Sequence, residues 1–490
     1  MKSNEKLDLC LFLSDQHAWE RQHYAGDPLI RTPNLDRIAA EGTAFDNCYT
    51  AYPLCVPARM SMMSCQTATH CGAVTNFSAL DSNRVTFAHC LDAAGYETVL
   101  CGRMHFVGPD QRHGFTRRVA GEMTPIYHNR PESIARERGV HDRTPQGGVG
   151  CISIIGGGNS PTLEYDRYVV RQAEEYLKED HDKPQFLCVG TYGPHHPYVA
   201  PKELYEYYYD RVTVPEASFT LPEHPVMRGM VRDTDPQVVR AAMAAYYGLV
   251  EFEDQQVGRV YDAFQSYLKR TGRKGLFLYV SDHGDHAGNR GYFGKNTFYD
   301  PSVHIPLLIA GEGVPRGKRW RGAVSLMDVG PTLCQAGCAP MPPDMDGVAL
   351  YDLLCKGSEE PDRIVVSELC GTGFGTGEFR YGMMAKWKSW KLIHYAAPQV
   401  EDLLYDLETD PEETKNVLSL YPEIAEKLKE QLQAVCDVPL DRQREDMERL
   451  KKNLPILLAC DLDSDERWLC PPCARDYPDH MTASRLATRK

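Results

Sequence analysis

Short unbroken apolar runs alternate along this chain with stretches whose apolar positions recur at helical spacing. Leu7-Asp8-Leu9-Cys10-Leu11-Phe12-Leu13-Ser14 is the first run and reads as a buried parallel strand. Residues 35–42 read as a helix stopped by Gly42, and residues 87–94 as a second helix ended by Gly95. Residues 98–101 form a strand that enters a turn at Gly102, and residues 165–179 carry a helical pattern. Residues 185–190, 275–281 and 306–310 are further apolar runs. This alternation predicts an α/β fold, a large mixed, mostly parallel sheet sandwiched by helices. Such sheets carry their chemistry at the carboxyl ends of the strands. Asp15, Arg103, the His195 loop and Asp282 each stand where an apolar run gives way to a polar loop.

After about Glu368 the pattern changes. Residues 381–395 read as a hairpin with its turn near Lys386 to Ser389, residues 403–407 as another strand, and residues 422–436 as an amphipathic helix. The expected division is a catalytic domain over residues 1–375. Residues 376–490 would form a small C-terminal α+β subdomain, a short antiparallel sheet plus a helix, followed by a tail. Residues 121–160, rich in Gly, Pro, Arg and His, read as a loop excursion over the site. Residues 204–211, with four tyrosines, read as a rim element or as aromatic packing.

Composition narrows the function. The 490 residues are 42% hydrophobic and 25% charged, ordinary for a globular protein, and the net charge is −14. That balance argues against nucleic acid or an anionic membrane as partner, because binding phosphates needs clustered cations. No apolar run is long enough to span a membrane. The first run is too short for a signal peptide, contains Asp8 and ends in a candidate ligand, so a cytoplasmic protein is expected. Seventeen cysteines then read as free, mostly buried thiols. Cys460, Cys470 and Cys473 lack the second ligand pair that a zinc site needs and read as structural or incidental.

The candidate chemistry gathers on four motifs: Asp15-Gln16; Cys55-Val56-Pro57-Ala58-Arg59; Gly102-Arg103-Met104-His105; and Ser281-Asp282-His283-Gly284-Asp285. Pro194-His195-His196-Pro197 and Lys295 complete the set. A hard divalent cation wants several oxygen ligands, and Asp15 and Asp282 close two separate strands, with His283 beside the second. A thiol next to such a cation makes poor chemistry. Arg103 and His105 lie two apart on a strand exit, so both can face one side. Taken singly, each aspartate could be a turn or cap residue and each histidine a polar core residue.

Together, in this order, the motifs resemble the type I sulfatase family of the alkaline-phosphatase superfamily. The resemblance covers residues 7 to about 310, with a weaker match to about 416. It implies an alkaline-phosphatase-like fold and a sulfuric ester hydrolase. It further implies that Cys55 is oxidised to formylglycine (3-oxoalanine) by a maturation enzyme. The hydrated aldehyde, a gem-diol, would attack sulfur, and its second hydroxyl would lose a proton to expel sulfate. The implied metal ligands are Asp15, Cys55, Asp282 and His283, around one divalent metal. Ca²⁺ is the family default, with Mn²⁺ or Mg²⁺ as alternatives. Arg59 would stabilise the hydrated aldehyde and orient the ligands. His105 would assist its second hydroxyl. Arg103, His195 and Lys295 would contact sulfate or the leaving oxygen.

Two departures narrow the family further. Gln16 replaces a second aspartate, and Arg103 replaces the usual lysine, which alters the geometry of sulfate contact. Gln16, the segment from Gly102 to Phe115 and Cys65-Gln66 are similar to choline sulfatases, and Gln16 also to phosphonate monoester hydrolases. Gln16 and Asn76 are therefore candidate substrate-binding residues. The expected substrate is a small sulfated metabolite or a sulfated sugar. A phosphonate monoester or phosphodiester, choline O-sulfate and a non-catalytic metal-binding protein are the alternatives. Relatives are often dimers or tetramers, which leaves a homo-oligomer open.

Overall fold

A computed structural model of the chain describes residues 6–124, 126, 151–152, 154–220, 227, 230, 232–233, 235–371, 380–396, 400–435, 448, 452–453 and 468. Most of the 121–160 excursion, and Cys460, Cys470 and Cys473, lie outside these residues. The strands, in chain order, begin with β1 (Asp8–Asp15), β2 (Thr43–Phe45), β3 (Cys48–Tyr49) and β4 (Glu97–Gly102). They continue with β5 (Arg117–Ala120), β6 (Ile155–Gly157), β7 (Gln185–Pro194), β8 (Tyr198–Ala200) and β9 (Gly275–Ser281). Next come β10 (Leu307–Gly311), β11 (Lys318–Trp320) and β12 (Val324–Ser325).

β1 is buried along its whole length and lies near the middle of an eight-stranded sheet ordered β11-β2-β10-β9-β1-β7-β4-β5. Pairing is parallel from β9 across β1, β7 and β4 to β5. β10 is antiparallel to both β9 and β2, so the sheet is mixed and mostly parallel. Alternation along β1 supplies two cores: Leu9, Leu11 and Leu13 point to one face, Cys10 and Phe12 to the other. β3 with β12 and β6 with β8 form two small parallel pairs beside the sheet.

The largest element without a counterpart in the sequence reading is the 36-residue helix Pro236–Thr271. Asp235 caps it by accepting the N–H of Gln237, Pro236 occupies its first turn, and Gly272 ends it in the left-handed region. Its sides bury both apolar and acidic residues, which blurs the 3.6-residue period. The tyrosine-rich helix Lys202–Tyr209 packs on this long helix, with Tyr208 fully buried.

The C-terminal part is a four-stranded antiparallel sheet of β13 (Val365–Gly371), β14 (Arg380–Trp387), β15 (Trp390–Tyr395) and β16 (Leu403–Asp406). The turn between β14 and β15 falls on Lys388 and Ser389, as the pattern predicts. The first strand of this sheet lies ahead of residue 376. Helix Pro422–Val435 covers one face.

Candidate active site

Four strand ends meet at one place. β1 and β9 run parallel in register from Asp8↔Gly275 to Ser14↔Ser281, so Asp15 and Asp282 emerge side by side. Arg103 follows β4, and His195 follows β7. Cys55 is the first residue of helix Cys55–Ser64, every residue of which is buried. That places Cys55 at the positive end of a helix pointing into the cluster.

Ligating atoms of Asp15, Cys55, Asp282 and His283 lie within 4.8 Å of one another, and all four residues are buried. His283 donates Nδ1–H to the carbonyl of Gly284 at 3.0 Å, which turns Nε2 toward the cluster, 3.2 Å from Cys55 Sγ. Two carboxylates and an imidazole suit a divalent cation, and oxidation of Cys55 would replace its soft sulfur with a hard oxygen. The donor set therefore fits the metal that the family implies.

Arg59 is fully buried and binds both carboxylates. Its Nε lies 2.7 Å from Asp282 Oδ2 and its Nη2 3.1 Å from Asp15 Oδ2. Arg103 Nε adds a second contact to Asp15 Oδ2 at 2.8 Å. Burial alone would raise the Asp15 pKa, but Arg103, His195, Arg59 and Lys295 outweigh it and hold the carboxyl well below its usual range. Burial, reinforced by Asp15, pushes the Cys55 thiol up to about 11. Without a bound metal, an unmodified Cys55 would thus carry its proton at neutral pH and be a weak nucleophile.

Lys295 Nζ reaches three of the expected residues: Gln16 Oε1 at 2.5 Å, His195 Nε2 at 2.7 Å and Cys55 Sγ at 3.3 Å. His195 donates Nδ1–H to the His196 carbonyl at 2.5 Å, which leaves Nε2 to accept from Lys295. Burial, His196 and Lys295 hold the His195 pKa well below the ordinary histidine value, so the ring is neutral. Arg103 Nη2 bonds His105 Nδ1 at 2.7 Å and fixes that ring. Asn76 Oδ1 accepts the N–H of Val56 at 3.0 Å, a contact that caps the helix one residue on from Cys55.

Two supporting carboxylates were not assigned from the sequence. Glu122 Oε2 accepts the N–H groups of Met104 (3.0 Å) and His105 (2.9 Å), and Oε1 lies 3.6 Å from Arg103 Nη1. His105 has φ +61°, a strained conformation for a non-glycine residue, and Glu122 holds it there. Asp285 accepts the Tyr198 hydroxyl at 2.9 Å and the N–H groups of Ala287 and Gly294 at 2.8 Å, and it also binds Gln16 Nε2. It ties Gln16 to the loop that presents Lys295. Asp285 closes the Ser-Asp-His-Gly-Asp motif and could have been found there. Glu122 sits in an irregular stretch that gives no such signal.

Fold and site define a class: a hydrolase of tetrahedral anionic esters on an α/β fold, with a buried Asp, Cys and His cluster whose donors suit a metal and a cysteine that opens a helix. The sulfatase family model matches residues 8–337, and a model of the C-terminal region of N-sulphoglucosamine sulphohydrolase matches residues 288–437. A choline-sulfatase of Rhizobium meliloti (strain 1021) is 32% identical over 419 residues, covering 79% of this chain and 78% of the relative. An arylsulfatase of Clostridium perfringens (strain 13 / Type A) is 28% identical over 455 residues, covering 84% and 90%. A phosphonate monoester hydrolase of Agrobacterium radiobacter superposes with a TM-score of 0.71 at 22% identity, covering 88% of this chain and 95% of that one. A structure solved with D-glucosamine-2-N,6-O-disulfate also superposes with a TM-score of 0.71, at 19% identity, covering 91% and 100%. The chain belongs to the sulfatase family and is a sulfuric ester hydrolase.

Proposed function

We propose that this sulfatase cleaves an O-sulfate monoester of a small metabolite or sugar, with formylglycine derived from Cys55 as nucleophile. The observation that carries this reading is the contact of Cys55 Sγ with both a metal-ligand histidine and Lys295, at 3.2 and 3.3 Å. Asp15, Asp282, His283 and oxidised Cys55 would hold one divalent cation, Ca²⁺ by default and Mn²⁺ or Mg²⁺ as alternatives. When bound, it polarises the ester's non-bridging oxygens and lowers the pKa of a coordinated hydroxyl.

The chain's own residues then have defined tasks. Arg59 fixes the two carboxylates relative to each other. Lys295 and His195 stand beside Cys55, where the tetrahedral anion must sit, and Lys295 offsets its charge. Neutral His195 contacts the sulfate or leaving oxygen. Arg103 orients His105 by donating to its Nδ1, and His105 assists the second aldehyde hydroxyl through Nε2. Gln16, held by Lys295 and Asp285, and Asn76 line the substrate side.

Hydrolysis of 4-nitrophenyl sulfate by protein matured in its own host tests the reading. Activity should vanish in Cys55→Ala and fall on chelation with EDTA. A rate on nitrophenyl phenylphosphonate exceeding that on the sulfate would transfer the assignment to phosphonate monoesters. Choline O-sulfate belongs in the same panel because of the 32% identical choline-sulfatase. We place the protein in the cytoplasm. All thirteen cysteines among the described residues carry free thiols, which supports a reducing compartment. Recovery outside the cell on fractionation would overturn that placement.

A further inference from the structure

Two buried acids lie under the site without joining the metal cluster. Asp166, on helix Pro161–Tyr176, is 1% exposed, and Glu253, on helix Pro236–Thr271, is 0% exposed. Both meet the end of β7, just before His195. Asp166 accepts the backbone N–H of Tyr192 on Oδ1 (2.6 Å) and of Gly193 on Oδ2 (2.8 Å). Glu253 Oε1 accepts the Thr191 hydroxyl, while Oε2 has no hydrogen-bond partner among the described residues. Gly193 is required by this closeness. A Cβ there would lie 2.7 Å from Glu253 Oε2 and 3.0 Å from Asp166 Oδ2, so the two oxygens flank one point.

The charges facing this pair do not neutralise it. Arg103 attracts Asp166 but already binds Asp15 at 2.8 Å. Asp15 repels both acids, and Asp254 repels Glu253. The phenols of Tyr165 and Tyr279 feel Asp166 and Glu253 respectively, and His195 follows two residues after Gly193. Burial pushes Asp166 up to about 7 and Glu253 up as well. Two acids this deep, without a cation of their own, do not both ionise. Asp166 needs both oxygens as acceptors for two N–H groups, so the proton belongs on the Glu253 oxygen that lacks a partner.

We propose that Asp166 and Glu253 share one proton, carried on Glu253 Oε2, and that the pair is a positioning device holding the His195 loop against Lys295 and Cys55. Losing this proton puts two like charges around Gly193 and displaces His195 Nε2 from Lys295. Activity then falls on the alkaline side. This effect on rate rests on the sulfatase reading; the shared proton does not.

Glu253→Gln keeps the shape and supplies an N–H where the O–H stood. The variant should stay active, with the alkaline fall of kcat abolished or moved upward. Asp166→Asn turns an N–H₂ toward a backbone N–H and should lower kcat/KM about ten-fold or more through misplacement of His195, with metal content retained. An infrared difference spectrum of wild type minus Glu253→Gln at pH 7 should show the band of a protonated buried carboxyl. Absence of that band, or a wild-type alkaline fall in Glu253→Gln, overturns the proposal. If no ester is turned over but the band is present, the sulfatase reading fails and the shared proton stands. Should the variants not fold, titration of the carboxyl band in the wild type decides, and its absence at pH 7 overturns the proposal.

Discussion

Arg59 has no exposed surface and binds both carboxylates of the cluster. Removing one partner of a buried ionic group leaves the others uncompensated and costs about 3–5 kcal/mol. Arg59→Ala should therefore lower the thermal midpoint and lose metal, as read by unfolding scans and elemental analysis. Full metal occupancy with an unshifted midpoint would contradict its assignment as the ligand-orienting residue. At this scale much of the site was legible, because C-x-P-x-R, Asp15 and Asp-His after β9 are short-range patterns. The second layer was less so. Glu122 acts through backbone N–H groups of residues 17 and 18 positions away in the chain, and no local pattern encodes such a contact. Gln16 shows the same limit: the sequence gives its departure from aspartate, but its partners, Lys295 and Asp285, are set by folding.

At the scale of elements, the site depends on how closely strand exits approach. Arg103 N–H bonds the Gly190 carbonyl at 2.8 Å, and a Cβ on Gly190 would lie 1.7 Å from the Arg103 carbonyl oxygen. Gly190→Ala should then separate β4 from β7 and cost about 3 kcal/mol, a heavy case of overpacking. Its kcat/KM should fall too, since both Arg103 and His195 follow these strands. Wild-type stability and activity in Gly190→Ala would contradict this. The strands carrying the site were readable because strands buried on both faces are continuous apolar runs. Helix Pro236–Thr271 was missed because it is buried on most sides and includes Glu253 and Asp254, so its apolar stripe is interrupted.

At the scale of the whole molecule, the small sheet buttresses the loop that carries His283. Lys391 on β15 is fully buried and pairs with Asp300 at 2.7 Å and Glu413 at 2.6 Å. The short helix beginning at Asp300 presents the Ser302 carbonyl to the N–H of Gly284 at 2.8 Å, beside His283. Acid stability reports on the same region. Burial, Arg290 and Lys391 push His286 down to about 3, and burial pushes His17 down to about 4. Both folded values lie below the unfolded value. The stability these rings contribute is therefore present above pH 6.5 and is lost as pH falls toward 4 and 3. Each ring contributes up to about 1.4 kcal/mol per pH unit in its window. Unfolding free energy measured between pH 6.5 and 5 should fall less steeply by one proton in His286→Asn, and an unchanged slope would refute the buried neutral ring.

The proposed chemistry turns on Cys55 as the precursor of the nucleophile. Mass spectrometry of the tryptic peptide containing Cys55, from protein made in its own host, tests it most directly. Oxidation of the thiol to the aldehyde lowers the peptide mass by about 18 Da, the change that creates the nucleophile. That shift is the expected result, and Cys55→Ala should lack it. An unmodified thiol in fully active protein from that host would contradict it.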